Sequence, residues 1–283
     1  MTDNGAPSKL PRVVACMPAY SSVAFIAPVL DSLAAQTYAN LEVLVSVDVC
    51  SDGTAELCER FAALHANVRV IRQTTRQGWV GNSNALLTAA QGKYLFFAFH
   101  DDPLRPTYVE RLVSALEGNP HAVVAFSDVD TNEGLMRYTE LDGLSDRFTR
   151  FRRLLIMKGT WWAPLRGLVR MDAVRQLGGM KRLRSGEYST DLPWLLRLAL
   201  LGEFVRIPEA LIYKEVRPAG LAASWKKTLS NKFAVQLACA DVVRFAGFSL
   251  PEQLALYAEL GSVKNVLRRL RSFVHSFRQT ARS

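Results

Sequence analysis

Between Arg12 and Asp128 the chain repeats one unit: a short apolar run, a turn, then a stretch whose apolar residues recur at helical spacing. The runs fall at 12–17, Leu41–Val47, 68–73, 93–99 and 122–127, and the helical stretches at 23–36, 54–65, 78–91 and 107–117. In the first helical stretch Phe25, Ile26, Val29, Leu30 and Leu33 share one face. Runs without polar alternation are those of strands buried on both faces. Strands joined through helices by short connections predict a mostly parallel sheet covered by helices on each side, an α/β fold. The 283 residues, 49% hydrophobic and 22% charged, suffice for one large domain with an appendage.

In such a sheet the C-terminal strand ends share one edge, where open α/β folds bind ligands. Carboxylates recur there: Asp48, Asp101 and Asp128. The sharpest case is Tyr94-Leu95-Phe96-Phe97-Ala98-Phe99-His100-Asp101-Asp102-Pro103, an apolar run that stops at two adjacent acids and a proline. Adjacent carboxylates repel, and a cation relieves that cost. Hard divalent ions take oxygen ligands and bridge to phosphates. A solvated turn is the competing explanation, and for Asp48 and Asp128 also a plain turn-forming role. Ser51-Asp52-Gly53-Thr54 is turn chemistry leading into a helix cap. His100, at a strand end, offers either a structural contact or a proton.

Beyond Asp128, residues 129–160 are polar, basic and weakly periodic, which predicts a mobile or substrate-facing segment. Trp161-Trp162 suits either stacking on a sugar ring or a core contact. Residues 189–201 read as a helix with Asp191 in its first turn, where the dipole stabilises a carboxylate. Two short strands are expected at 204–207 and 211–213, and a helical region follows from 223. Val266, Leu267, Leu270, Phe273, Val274 and Phe277 fall on one helical face, with arginines largely elsewhere. That profile suits an interfacial helix on anionic lipid and, equally, a helix docked on its own domain.

The net charge is +9, and residues 224–283 carry 10 Lys/Arg against 3 Asp/Glu. Such basicity favours nucleic acid, anionic lipid or a phosphorylated substrate. No nucleic-acid-binding motif is present, and nucleic acid is set aside as a partner. Cys16, Cys50, Cys58 and Cys239 lack metal-site spacing and are expected as reduced thiols. No apolar run is long enough to cross a bilayer and residues 1–9 carry no apolar signal core, so a cytoplasmic location is expected, peripheral at the membrane if the basic helix binds lipid.

Taken in order, several segments resemble a family 2 glycosyltransferase of the GT-A fold. They are Cys16-Met17-Pro18-Ala19-Tyr20, the stretch from Leu33 to Glu42, the turn from Asp48 to Thr54, and Gly78 with Asn84 and Gly92-Lys93-Tyr94. Arg166-Gly167-Leu168-Val169-Arg170, Leu177-Gly178-Gly179 and Asp191-Leu192-Pro193-Trp194-Leu195 continue the series. The resemblance implies a flexible tail at 1–9, a GT-A domain over 10–223 and a basic helical extension over 224–283. It further implies inverting transfer from a nucleotide-diphosphate sugar, a UDP-sugar first, to a glycan or lipid-linked acceptor in surface polysaccharide synthesis, assisted by Mn2+ or Mg2+. A homodimer is included among the expected partners. By the same resemblance Asp48 would contact the nucleobase or ribose beside Pro18, Ala19 and Tyr20, with Asn84 in the same nucleotide-binding region. Asp101 would be the metal-binding acid with Asp102 next to it, Arg166 and Gly167 would shape the acceptor side, and Asp191 would be the base. Three departures stand out: Phe99 where an acid is usual, Val49 in the turn after Asp48, and no histidine between Tyr213 and Ser224. They make a catalytically degenerate nucleotide- or glycan-binding protein the alternative.

Overall fold

The structure is a computed structural model that describes residues 10–157, 161–184, 186–216 and 228–261. The five expected strands form as β1 (Val13–Ala19), β2 (Leu41–Val47), β3 (Val68–Arg72), β4 (Tyr94–Phe97) and β5 (Ala122–Thr131). The four expected helices form between them as α1 (Ala27–Ala34), α2 (Thr54–Leu64), α3 (Gly78–Ala89) and α4 (Tyr108–Gly118). β1 pairs in parallel with β2 and β4, and β2 with β3. Every residue of β1 and β4 is buried, as a strand covered on both faces requires.

Two features complete the sheet. β7 (Leu168–Arg170) inserts antiparallel between β4 and β5, and β6 (Gly134–Met136) forms a hairpin with β5, giving the order β3-β2-β1-β4-β7-β5-β6. On the other edge of β5 lies β8 (Glu203–Lys214), in parallel. The two short strands expected at 204–207 and 211–213 are thus one strand. Its register jumps from Ile207 opposite Ser127 to Ala210 opposite Asp128. Pro208 has no N–H to give a ladder, and a bulge accommodates it without ending the strand.

Asp128 does not reach the strand edge, because β5 runs on to Thr131. It is buried and held by Arg206, whose Nε and Nη2 donate to its two oxygens at 2.7 and 2.6 Å. The Tyr138 amide adds a third bond at 3.2 Å.

The segment 129–160 also differs from expectation, since it contains α5 (Arg147–Ile156), capped by Asp146 through a 2.7 Å bond from the Thr149 amide. Phe151, Leu154 and Leu155 are buried on α5, as is Arg150, which donates to the carbonyls of Leu144, Ser145 and Ala199. Four arginines in ten residues hide the helical period, yet one of them is a core residue. After it come α6 (Trp162–Arg166), α7 (Met171–Leu177) and α8 (Asp191–Leu201).

Extra helices follow the sheet: α9 (Leu229–Phe245) and α10 (Leu250–Gly261). Val235, Cys239 and Val243 of α9 are buried, as is Leu256 of α10. Phe248 between them packs edge-on to Phe148 and Phe151 of α5, and Arg152 of α5 pairs with Glu259. The apolar face from Val266 to Phe277 lies outside the described residues. Among the described residues no helix is long and apolar enough to cross a membrane. All four cysteines are free thiols.

Breaking a buried ion pair by removing one partner costs about 3–5 kcal/mol, because the other charge stays desolvated. Asp128→Ala is therefore expected to lower unfolding stability by about 3 kcal/mol in a urea titration, while ligand binding by the folded fraction is unchanged. A midpoint equal to that of the parent chain would contradict this assignment.

Candidate active site

The site forms at the C-terminal edge of the sheet, and its first wall is built by β1 and β2. Asp48, the residue after β2, is buried to 2% exposure and accepts from the amides of Gln77 and Gly78, each at 2.8 Å, and of Val49 at 2.9 Å. The first four N–H groups of a helix lack intrahelical partners. Asp48 satisfies two at the start of α3, and Glu187 takes the next two, Trp79 at 3.1 Å and Val80 at 3.3 Å. Gly78 is needed between them: its φ is +66°, and a Cβ there would lie 2.5 Å from Glu187 Oε1. Arg76 pairs with Asp48 at 3.3 Å and lays its guanidinium over the ring of Tyr20, 3.2 Å from the centroid. Tyr20 is exposed, whereas Pro18 and Ala19 before it are buried. Asp52 binds the Val23 amide at 3.1 Å and caps α2 through Thr54, fixing the loop that follows Tyr20.

The second wall is the end of β4. The chain turns there through a 3.1 Å bond from the Asp102 amide to the Phe99 carbonyl. It then pairs with β8: Tyr213 N donates to Pro103 O at 2.9 Å, Arg105 N to Leu211 O at 2.8 Å, and Leu104 bridges Ile212. That pairing delivers Lys214 to the two acids. Its Nζ is 2.9 Å from Asp102 Oδ1 and 3.8 Å from Asp101 Oδ2. The other oxygen of Asp102 accepts from Arg166, whose Nη1 donates to Trp162 O at 2.9 Å. Phe99 lies 4.5 Å from the Arg166 guanidinium and Trp162 4.8 Å, so aromatic rings flank the cation. His100 is tied to β1 by a 3.0 Å contact of Nδ1 with Pro18 O, and its ring lies 5.3 Å from that of Phe25.

Asp101 is the more open of the two acids. Burial pushes its pKa up, but Lys214, His100 and Arg166 outweigh this and hold it below the usual carboxylate value. One half-buried carboxylate with an open side suits a hard divalent ion that completes its shell with phosphate oxygens. Asp102 does not suit that role, because both its oxygens already accept from cations. Among the described residues no three His, Cys, Asp or Glu side chains gather to form a closed metal cage.

The third element is Asp191, at the N-terminus of α8, where Trp161 Nε1 donates to its Oδ2 at 2.9 Å. Burial raises its pKa, and the bonds from Trp161 and from the first amides of α8 oppose that rise without cancelling it. Arg166 exerts a Coulombic pull on both Asp101 and Asp191, lowering the pKa of each.

The remaining residues singled out in the sequence have other partners. Asn84 exchanges two 2.8 Å bonds with the Met180 backbone, so both ends of its amide are engaged. Gly167 packs on β5, where a Cβ would meet Ala125 O at 2.6 Å. Trp161, singled out in the sequence for stacking or a core contact, enters the site as the donor to Asp191, and Lys214, Arg76 and Glu187 complete it with no sequence signal to mark them. Each meets its partner only through the fold.

The description "Glycosyl transferase family 2" fits residues 14–167 of this sequence, more than half of it. The chain belongs to glycosyl transferase family 2. It is 25% identical to glycosyltransferase EpsE of Bacillus subtilis over 240 residues, 81% of this chain and 82% of EpsE. It is 31% identical to an uncharacterized glycosyltransferase of Haemophilus influenzae over 112 residues, 40% of this chain but 34% of that longer protein. The fold superposes on S. aureus TarS 1-349 in complex with UDP-GlcNAc, with a TM-score of 0.73 at 16% identity, covering 89% of this chain and 72% of TarS 1-349. It also superposes on the mannosyltransferase PcManGT of Pyrobaculum calidifontis in complex with GDP-Man and Mn2+, with a TM-score of 0.56 at 18% identity, covering 91% and 81%. The GT-A fold expected from the sequence is the one observed, and the protein is a transferase enzyme.

The Trp161 bond lowers the Asp191 pKa against the effect of burial, so its loss is expected to move that pKa further up. Were Asp191 to serve as a base it would act when ionised, and activity would rise as pH passes its pKa. For Trp161→Phe the acid limb of the kcat/KM profile for sugar transfer is expected to lie at higher pH than in the parent enzyme. The parent limb should itself lie above 3.8, the ordinary Asp value. An unmoved limb in the variant would remove Trp161 from the account.

Proposed function

We propose that this transferase moves a sugar from a nucleotide-diphosphate sugar to an acceptor hydroxyl with inversion at the anomeric carbon, with Asp191 as the base. The observation that carries the proposal is Asp191 itself. A carboxylate at a helix N-terminus, oriented by an indole N–H and with its pKa raised by burial, suits proton acceptance. The acceptor oxygen forms a bond to the anomeric carbon as its proton passes to an Asp191 oxygen. The bond from that carbon to the diphosphate breaks, and the electron pair leaves with the phosphate.

Asp48 with Arg76 and Tyr20 makes the wall for the nucleoside, Arg76 offering a cation held flat over an aromatic ring. A divalent ion, Mn2+ or Mg2+, held by Asp101 and the diphosphate oxygens would neutralise the charge of the leaving group. Asp102 fixes Arg166 and Lys214 around that position. Phe99 stands where an acid is usual in the family, and it packs against Arg166 and leaves that place without a hydrogen-bond acceptor. UDP is the first choice of nucleotide, supported by the fold shared with TarS 1-349, which was captured with UDP-GlcNAc. The acceptor is proposed to be a glycan or lipid-linked glycan in surface polysaccharide synthesis. The surplus of seven positive charges over residues 224–283 supports a place at the cytoplasmic face of an anionic membrane.

Asp191→Asn keeps the shape and removes the base. Transfer is expected to fall by about a hundred- to ten-thousand-fold while titration with the donor nucleotide gives the parent affinity. NMR of the product formed by the parent enzyme should show the inverted anomer. Transfer at the parental rate by the Asn variant, or a retained anomer, would sink the assignment.

A further inference from the structure

Among the described residues at the Asp101-Asp102 turn, Lys214 is a charged group that the proposed mechanism leaves without a task of its own. It stands at the last position of β8, 112 residues from Asp102 in sequence. An ammonium carries three N–H donors. One is used in the 2.9 Å bond to Asp102 Oδ1, and the 3.8 Å approach to Asp101 is a Coulombic contact longer than a hydrogen bond. The side chain is 22% exposed, so the ammonium is neither sealed in the core nor free in water.

The other cation of the cluster is differently placed. Arg166 directs Nε and Nη2 to Asp102 and Nη1 to the Trp162 carbonyl, and Phe99 and Trp162 flank its guanidinium. It is fixed as a scaffold. Lys214 keeps donors in hand on a flexible stem, the form in which lysine serves as a point charge for phosphate. Two carboxylates and two cations make the cluster formally neutral. A diphosphate arriving at Asp101 would meet like charge unless a cation faced it, and Lys214 Nζ is already at that carboxylate.

We infer that Lys214 is a diphosphate-binding residue: a resident cation that holds the donor's diphosphate beside Asp101 whether or not a divalent ion is bound. Asp102 is its positioning residue, since a buried carboxylate clamped by Arg166 leaves Lys214 little freedom to turn away. The inference rests on the proposed nucleotide-diphosphate donor and adds the group that recognises the phosphates. It also implies that nucleoside diphosphates bind without metal, more weakly than with it.

The test is calorimetric titration of the full chain with UDP, GDP, uridine and guanosine, each in Mn2+ and in EDTA. The parent protein is expected to bind at least one of the two diphosphates in EDTA. Lys214→Met should weaken that binding by about ten- to a hundredfold, the worth of one charge-assisted contact, and leave the matching nucleoside unaffected. Lys214→Arg keeps the charge and should bind within the range between the parent and the Met variant.

Because Lys214→Met leaves Asp102 with one cation, the double variant Asp102→Asn with Lys214→Met provides the control for folding. It removes one carboxylate and one ammonium, keeps an amide oxygen to accept from Arg166, and should melt as a folded protein yet remain as weak for the diphosphate. Recovery of parental affinity in the double variant would show that Lys214 merely neutralises Asp102. Parental affinity in Lys214→Met, equal loss of nucleoside binding, or diphosphate binding by the parent only with Mn2+ would each overturn the inference. If neither diphosphate binds even with Mn2+, the donor proposal fails and the inference falls with it. Diphosphate binding with Mn2+ that ignores Lys214 overturns the inference alone.

Discussion

The ion pair between Arg166 and Asp102 holds the reactive edge of this protein together. The carboxylate is 2% exposed and the guanidinium nearly as buried, so each would be costly to desolvate without the other. Their pairing fixes the turn after β4 to the end of α6, and the second oxygen of Asp102 fixes the end of β8 through Lys214. Three segments distant in sequence are thereby set at one point. Phe99 and Trp162 beside the guanidinium exclude water from the pair and strengthen it. Phe99 is then a packing partner of the central cation, which gives a physical reason for an aromatic residue where the family usually has an acid.

A second tie joins the two sides of the cleft. Asp48 and Glu187 together satisfy the first four amides of α3, one carboxylate from the end of β2 and one from the loop that leads into Asp191. Arg182 reinforces it by binding both Glu187 and the Gln77 carbonyl. The helix N-terminus favours negative charge, so it is a natural place for two acidic segments to meet. The loop that leads into Asp191 is thus anchored to the same helix that anchors Asp48, and a rigid element sets the spacing between the two.

The α9–α10 hairpin stands apart from this machinery. It buries Val235, Cys239, Val243 and Leu256 against the domain, and Arg147 and Arg152 of α5 bind Ala246 O and Glu259. It packs on α5 and on α8, the helix that begins with Asp191.

The early strands and helices were legible because their burial is local and uniform: Val13–Ala19 and Tyr94–Phe97 are apolar at every turn of the pleat, and no other placement hides them. The positions of Asp48, Asp101 and Asp191 at strand and helix ends followed from the same pattern. Helix α5 was not legible, because Arg150 satisfies its charge with three distant or loop carbonyls that a periodicity cannot reveal. Nor was the extension of β5 past Asp128, which depends on Arg206 from another strand. By itself the sequence determined the order of elements and the place of Asp48 just after its strand, but not that of Asp128, since hydrophobic period and turn chemistry are local properties. The tertiary structure alone decided what each acid does. The partners of Asp102 and Asp191 come from 112, 64 and 30 residues away. A carboxylate's pKa and free valence depend on desolvation and on nearby charge, which only folding brings about.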